Sequence, residues 1–268
     1  MTGAGTLDLR SRYGAWAVIT GPSSGIGKGF ATALAAEGLN LVLVARRKDL
    51  LDELAAELSE AHGIECRVLA HDLAADGAAA TLAEAVAGIE VGILVNNAGT
   101  GWIGRFDLQG GAEHARLVRL HCELPVELTA LMLPAMKKRG RGAVVLVASA
   151  GAYVPMPYYS VYGATKAFLA SWGEAVASEL EGTGVDVLVL SPGDTKTEFQ
   201  QVSGEQSTRW SSVEEVVTAG LAGLGRRTTV IPGLENKLGI ALSRFMPRRW
   251  LVRMMKSRQL AQTPPDRR

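Results

Sequence analysis

The chain has 268 residues, 47% of them hydrophobic and 31 of them glycine, with 28 Lys plus Arg against 27 Asp plus Glu. At roughly 100 to 200 residues per domain this allows one large or two small domains with a sizeable core, and it excludes disorder, a collagen-like repeat and a disulfide scaffold. A formal charge of +1 gives no reason to expect nucleic acid as a partner, and the two cysteines, Cys66 and Cys122, have no metal-ligand spacing, so neither nucleic acid nor a metal site is expected.

The first residues lack the basic start and apolar run of a secretory signal, and no uncharged apolar stretch reaches the roughly 18 residues of a membrane span, so a cytoplasmic protein is expected. From residue 15 onward, short apolar runs alternate with helical patterns. Residues 15–20 read as a strand, 25–38 as a helix stopped by Gly38, and 39–45 as a second strand. A helix over 48–61 carries Leu50, Leu51, Leu54 and Leu58 on one face. Next come a strand at 65–70, a helix at 76–87, a strand at 91–96, and a long helical region over 112–138. Residues 142–148 form a fifth strand, 159–181 a helix and 185–190 a sixth strand. Runs such as 39–44, 144–147 and 185–190 are apolar almost throughout, as strands are when helices cover both sheet faces. This order predicts an α/β fold with a doubly wound parallel sheet, the Rossmann fold, in a single domain. The rhythm breaks at Pro192; residues 194–211 read as a long loop or mobile helix pair, followed by a helix at 213–224 and a last strand at 228–231. The predicted catalytic domain spans 1–236, and 237–268 is a separate basic extension.

The first strand runs into Thr20-Gly21-Pro22-Ser23-Ser24-Gly25-Ile26-Gly27 and then directly into a helix. Three glycines at such a turn let the backbone fold tightly and bring amide N–H groups to a pyrophosphate at the positive helix end; Gly27 also permits close packing. The second strand ends Val44-Ala45-Arg46-Arg47-Lys48, with no carboxylate before Asp49. An acid there would hold the ribose hydroxyls of NAD(H), whereas Arg46 suits a 2′-phosphate, so NADP(H) is the expected cofactor.

Taken together these motifs resemble the short-chain dehydrogenase/reductase family. Thr20 to Gly27 is similar to its TGxxxGxG turn, Asn96-Asn97-Ala98-Gly99 to its NNAG motif, and Tyr162-Gly163-Ala164-Thr165-Lys166 to its YxxxK motif with Ser149 thirteen residues upstream. Pro192-Gly193-Asp194-Thr195-Lys196-Thr197 is similar to its PGxxxT segment. The resemblance implies cofactor contacts from Gly21, Ser23, Ser24, Gly25, Ile26, Gly27, Asp72 (at the adenine), Asn97, Gly99, Lys166, Pro192, Gly193, Thr195 and Thr197, and a homo-oligomer. The catalytic logic also follows from the residues. Tyr162 and Lys166 are i and i+4 on a helix, so a nearby ammonium can bring the tyrosine, pKa about 10, toward working range. Ser149, at a strand's carboxyl end, can hold the substrate oxygen while hydride moves between cofactor and carbon. An NADP(H)-dependent oxidoreductase acting on a small-molecule carbonyl or secondary alcohol is expected. Oxidation-linked isomerisation at the same site and a nucleotide-binding scaffold without turnover are the alternatives.

One position departs from the family pattern. Thirteen residues before the Pro of Leu133-Pro134-Ala135-Met136, where the family usually has an Asn supporting a water-linked proton relay, stands His121. Three readings stay open: a relay-competent imidazole, a slower or specialised enzyme, or lost catalysis. Trp102, Tyr153, Tyr158, Tyr159, Phe199 and Trp210 are candidates for an apolar substrate wall. From Lys237 onward there are nine Lys or Arg and one acid, Asp266, with apolar residues at helical spacing on either side of Pro247. Two amphipathic basic helices are predicted there, which could pack on the protein's own sheet, touch an anionic membrane surface peripherally, or dock on a partner subunit.

Overall fold

The computed structural model describes residues 7–204 and 211–268. Seven parallel strands form one sheet: β1 (Trp16–Thr20), β2 (Asn40–Ala45), β3 (Cys66–Ala70), β4 (Val91–Asn96), β5 (Gly142–Val147), β6 (Val185–Leu190) and β7 (Thr229–Val230), in the spatial order β3-β2-β1-β4-β5-β6-β7. The doubly wound sheet is therefore as predicted. Helices α1 (Leu9–Tyr13), α2 (Gly25–Ala36), α3 (Lys48–His62), α4 (Ala78–Ala85), α5 (Gly111–Val118) and α6 (Leu124–Arg139) precede β5. Helix α7 (Ser160–Glu179) crosses from β5 to β6; α8 (Phe199–Ser203), α9 (Val213–Gly223), α10 (Leu234–Ser243) and α11 (Arg248–Gln262) follow.

The near-continuous apolar character of the strands has its cause in two separate cores. Successive residues alternate faces: Ala17, Ile19 and Leu43 pack under α2, α3 and α9 with Phe30, Leu34, Leu51 and Val217. Val18, Val42 and Val144 pack on the other face with Leu82 of α4, Leu128 and Met132 of α6, and Leu169 of α7. Each Val, Leu, Ile, Phe or Met side chain among these contributes about 1.5–3 kcal/mol when fully buried, so both layers are firmly held.

Where structure and expectation differ, the reasons are local. Gly77, with φ +73°, delays the helix predicted from residue 76 until Ala78. The long region over 112–138 is divided by one wide turn, Arg119–Glu123, where the helix takes up an extra residue. Helix α1 was not predicted: it is only five residues long, too short for periodicity to show, yet its Leu9 and Tyr13 are buried. Of the polar segment 194–211, the described part holds α8 and an isolated bridge between Thr195 and Ser211; Trp210 lies outside the described residues.

The two tail helices form as predicted and meet at Pro247. One face of each packs on the protein: Ile240 and Ser243 of α10, and Leu251, Met255 and Gln259 of α11, are buried. Past α11 the chain returns to the sheet's carboxyl side, where Arg267 O accepts Arg105 N (2.9 Å) and Arg267 Nη1 donates to Ser203 O (3.1 Å). Among the described residues no helix is long and apolar enough to cross a membrane.

Helix α1 is fastened by the Tyr13 hydroxyl, which donates to Asp186 Oδ2 (2.7 Å) on β6; Arg12 reaches the same oxygen at 2.9 Å. Burial and the Asp186 carboxylate push the Tyr13 phenol well above its ordinary pKa. Tyr13→Phe removes this bond and should lower unfolding free energy by about 1–2 kcal/mol in urea titration, with the fold unchanged.

Candidate active site

The site begins where the strand order reverses. β1 lies between β2 and β4, so the connections leaving β1 and β4 diverge and open a crevice at the sheet's carboxyl edge. Thr20 closes the floor of that crevice: its Oγ1 donates to Val95 O (3.1 Å) and accepts the N–H groups of Asn97 and Ala98, both at 3.0 Å. Asn97 replies with its side chain, Nδ2 donating to Thr20 O (2.9 Å) and Gly21 O (3.1 Å). The glycine turn is thereby pressed against β4. Gly21 and Gly25 have φ of +69° and +56°, which side chains rarely adopt, and a Cβ on Gly27 would run into Gly21 O and Asn97 Nδ2. The free amide groups at the start of α2 face the space that results.

That space is one cleft of about 780 Å³. Ser149, Tyr162 and Lys166 line it together with Gly21, Ser23, Ser24, Gly25, Ile26, Arg46, Asp72, Asn97, Gly99, Pro192, Gly193, Thr195 and Thr197. Of the residues given catalytic or cofactor roles from sequence, Gly27 and His121 are not in its wall. Gly27 acts by packing, and His121 lies behind the wall.

At the end beside α2, two arginines matter that the motifs did not single out. Arg47 donates to Ser23 Oγ (2.9 Å) and Ser24 Oγ (3.3 Å) and pairs with Glu198 at 2.9 Å, holding the Glu198 carboxyl below its usual range. Arg116, on α5, donates to both oxygens of Asp72 (2.7 and 2.6 Å) and lowers that carboxyl likewise. The doubled Arg46-Arg47 was the available signal for the first. Arg116 had none, since 44 residues separate it from its partner.

At the other end, Ser149 caps the turn Ala150–Tyr153, its Oγ accepting Gly151 N at 3.1 Å. Lys166 lies one turn past Tyr162 and is buried; its Nζ donates to Val147 O (2.7 Å) and sits 5.7 Å from the centre of the Tyr162 ring. Burial pushes the Lys166 ammonium down to about 8, because a charge loses hydration there. The Tyr162 ring stacks on Tyr159 (4.4 Å between centroids), faces Phe199 at 5.6 Å and meets the His121 edge at 5.8 Å. Trp102, Tyr159 and Phe199 line the cleft, whereas Tyr153 shares a hydrogen bond with Ser191 Oγ and Tyr158 lines a separate small crevice.

His121 stands on the wide turn between α5 and α6 and is fully enclosed. Its Nε2 accepts Thr100 N at 3.1 Å, so the ring proton is on Nδ1, which donates to Thr165 Oγ1 at 2.9 Å. Thr165 Oγ1 in turn donates to Tyr162 O at 2.8 Å. Burial, with the Lys166 charge second, pushes the imidazole well below 6.5, so it stays neutral. Cys122 beside it is half-buried, its thiol pushed up to about 11 by burial.

A phosphate-ready turn and a serine, tyrosine and lysine in one cleft of a doubly wound sheet define a nicotinamide-dependent oxidoreductase. A family model of the short chain dehydrogenases matches residues 15–208, and the chain belongs to that family. It is 33% identical over 238 residues to a 7β-hydroxysteroid dehydrogenase of Collinsella aerofaciens, covering 86% of this chain and 90% of that one. A very-long-chain 3-oxoacyl-CoA reductase of Phaeosphaeria nodorum is 37% identical over 219 residues, 80% of this chain but only 64% of the longer relative. Among solved structures, a 7β-hydroxysteroid dehydrogenase superposes with a TM-score of 0.87 at 31% identity, over 92% of this chain and 99% of that one. A short-chain dehydrogenase of Sphingobium yanoikuyae in complex with NADPH gives 0.79 at 34% identity, over 86% and 94%.

The buried neutral imidazole has a consequence for acid stability. The unfolded chain takes up a proton at His121 as pH falls through 6.5 while the folded chain does not, so stability present above that pH is lost below it. Urea titrations at about pH 7 and about pH 5 should show His121→Asn losing less stability over this interval than the parent chain.

Proposed function

We propose that the protein is an NADP(H)-dependent reductase or dehydrogenase of bulky, hydrophobic carbonyl compounds and the matching secondary alcohols. The observation that carries this reading is the single cleft that holds Ser149, Tyr162 and Lys166 at one end and Arg46 and Arg47 at the other. The residues fit the cofactor: the glycine turn leaves a cradle that side chains would fill, amide groups point into it, and β2 ends in arginines where a ribose-binding carboxylate would stand. Arg46 and Arg47 would hold the 2′-phosphate, Asp72 with Arg116 would border the adenine, and Gly193, Thr195 and Thr197 would flank the nicotinamide end.

The bound nicotinamide supplies or takes up the hydride. Ser149 Oγ, already held by Gly151 N, orients the substrate oxygen. In reduction, the Tyr162 hydroxyl gives that oxygen its proton, and the Lys166 ammonium stabilises the phenolate left behind. Tyr159 and Phe199 keep water from the phenol's flanks and present an apolar surface to the substrate. His121 is a positioning residue in this scheme: with both ring nitrogens bonded, it ties the Thr100 backbone to Thr165, and through Thr165 to the turn bearing Tyr162. Support for a bulky apolar substrate comes from Trp102, Tyr159 and Phe199 in the wall and from relatives named for hydroxysteroids and very-long-chain 3-oxoacyl-CoA.

A panel of bulky ketones assayed with NADPH and NADH side by side tests this. NADPH should be preferred, Arg46→Ala with Arg47→Ala should raise the KM for NADPH far more than that for NADH, and Tyr162→Phe should cut turnover by about 10²–10⁴-fold. Cofactor binding with no turnover on any ketone, unaffected by Tyr162→Phe, would instead identify a nucleotide-binding scaffold.

A pH profile gives a second check. Lys166 loses its charge as pH rises through about 8, which removes stabilisation of the phenolate. Reductive kcat/KM should therefore hold level up to neutral pH and decline above about pH 8. An unbroken rise from pH 7 to 10 would contradict the role given to Lys166.

A further inference from the structure

Helices α10 and α11 have two unlike faces. The inner one is docked, as Ile240, Ser243, Leu251, Met255 and Gln259 show. The outer one carries large apolar side chains in the open: Leu234, Leu238 and Leu242 along one stripe of α10, Phe245 at 89% exposure in the corner, and Trp250 and Met254 on α11 beside its buried stripe. Isolated exposed leucines need no account, but six large apolar residues on one helix pair do.

Charge decides what would cover them. Lys237, Arg244, Arg248, Arg249, Arg253 and Lys256 surround these side chains and are exposed, and none enters a salt bridge among the described residues. From Leu234, where α10 begins, to the end there are nine basic residues and two acids, Glu235 and Asp266, while residues 1–233 have 19 basic and 25 acidic. In a two-fold contact with a second copy, a patch meets its own like, which would set cation against cation around the apolar strip. An anionic bilayer instead takes apolar side chains into its acyl boundary and basic ones at its headgroups, and repels the acidic body so that the tail faces it.

We propose that the outer face of α10 and α11 docks peripherally on an anionic lipid surface. The docked helices lie beside the cleft: α10 packs on the Ser149-capped turn, the Asn236 side chain lies against Gly193, and Arg258 pairs with Asp194 at 3.4 Å. Docking brings the substrate end of the cleft close to the lipid. Trp250 and Phe245 are placed to enter the interface, and the six basic residues supply the dependence on lipid charge.

Co-sedimentation of the full chain with vesicles of phosphatidylcholine, alone or mixed with phosphatidylserine, tests the proposal without using enzyme activity. Expected is sedimentation with the mixed vesicles only, reversed by roughly 0.5 M salt. The triple variant Leu242→Glu, Phe245→Glu, Trp250→Glu should remain in the supernatant while keeping the parent's thermal midpoint. Arg249→Glu with Arg253→Glu should weaken binding by about tenfold or more. Parent protein that stays in the supernatant with both vesicles overturns the proposal, as does sedimentation that ignores phosphatidylserine. Light scattering supplies the last arm: a triple variant that drops to a smaller oligomer, from a parent that binds no vesicles, assigns the face to a second copy and also overturns it.

Discussion

The hydroxyl of Thr20 joins two strands that the chain visits more than 70 residues apart. It accepts two backbone N–H groups from the segment leaving β4 and donates to a β4 carbonyl, while the Asn97 amide closes the same join from the other side. A buried hydroxyl with all its capacity used holds its partners closely, because a shift would break three hydrogen bonds at once. The glycine turn is consequently fixed against β4, the start of α2 is aimed along the crevice, and room for a dinucleotide opens where the strand order reverses. The cofactor cradle and the catalytic end share this one reference, so both depend on it.

Much of this was readable from sequence because the chemistry is packed into short contiguous segments. The glycine turn, the Asn97 segment and the Tyr162–Lys166 pair each occupy one element and its adjoining turn, so a linear pattern captures their geometry. The apolar runs of β2, β5 and β6 announced a sheet covered on both sides, and two cores are found there. Interactions that bridge distant segments were not legible. Nothing near His121 indicates that its ring spans Thr100 and Thr165, 21 and 44 residues away, and nothing near Asp72 points to Arg116. Periodicity likewise showed that the tail helices have apolar stripes, but it could not show that one is docked while another faces outward. Helix α1, at five residues, is too short for its period to repeat.

The C-terminal residues pack against the segments that line the cleft rather than hanging from the molecule. Arg267 receives Arg105 N on its carbonyl and sends its guanidinium to Ser203 O at the end of α8, with Trp102 beneath it at 5.7 Å. The two segments that contribute Trp102 and Phe199 to the cleft wall are thus linked by a residue far along the chain. Such bridging ties the shape of the apolar wall to the packing of α11, and through it to whatever the outer face of that helix touches.

The two halves of the proposed proton-handling pair are mounted on different parts of the framework. The Tyr162 phenol rides on α7, while the Lys166 ammonium, although it stems from the same helix, is tethered to a carbonyl of β5. A small slide of α7 along the sheet therefore changes the separation of ammonium and phenol, on which the proposed stabilisation of a phenolate depends. Gly173, eleven residues beyond Tyr162 on the same helix, sets that seating: a Cβ there would press on Leu146 and Val189 of the sheet. A single methyl group added at this deep contact, in reach of neither Tyr162 nor Lys166, would act as a wedge beneath the helix that carries both.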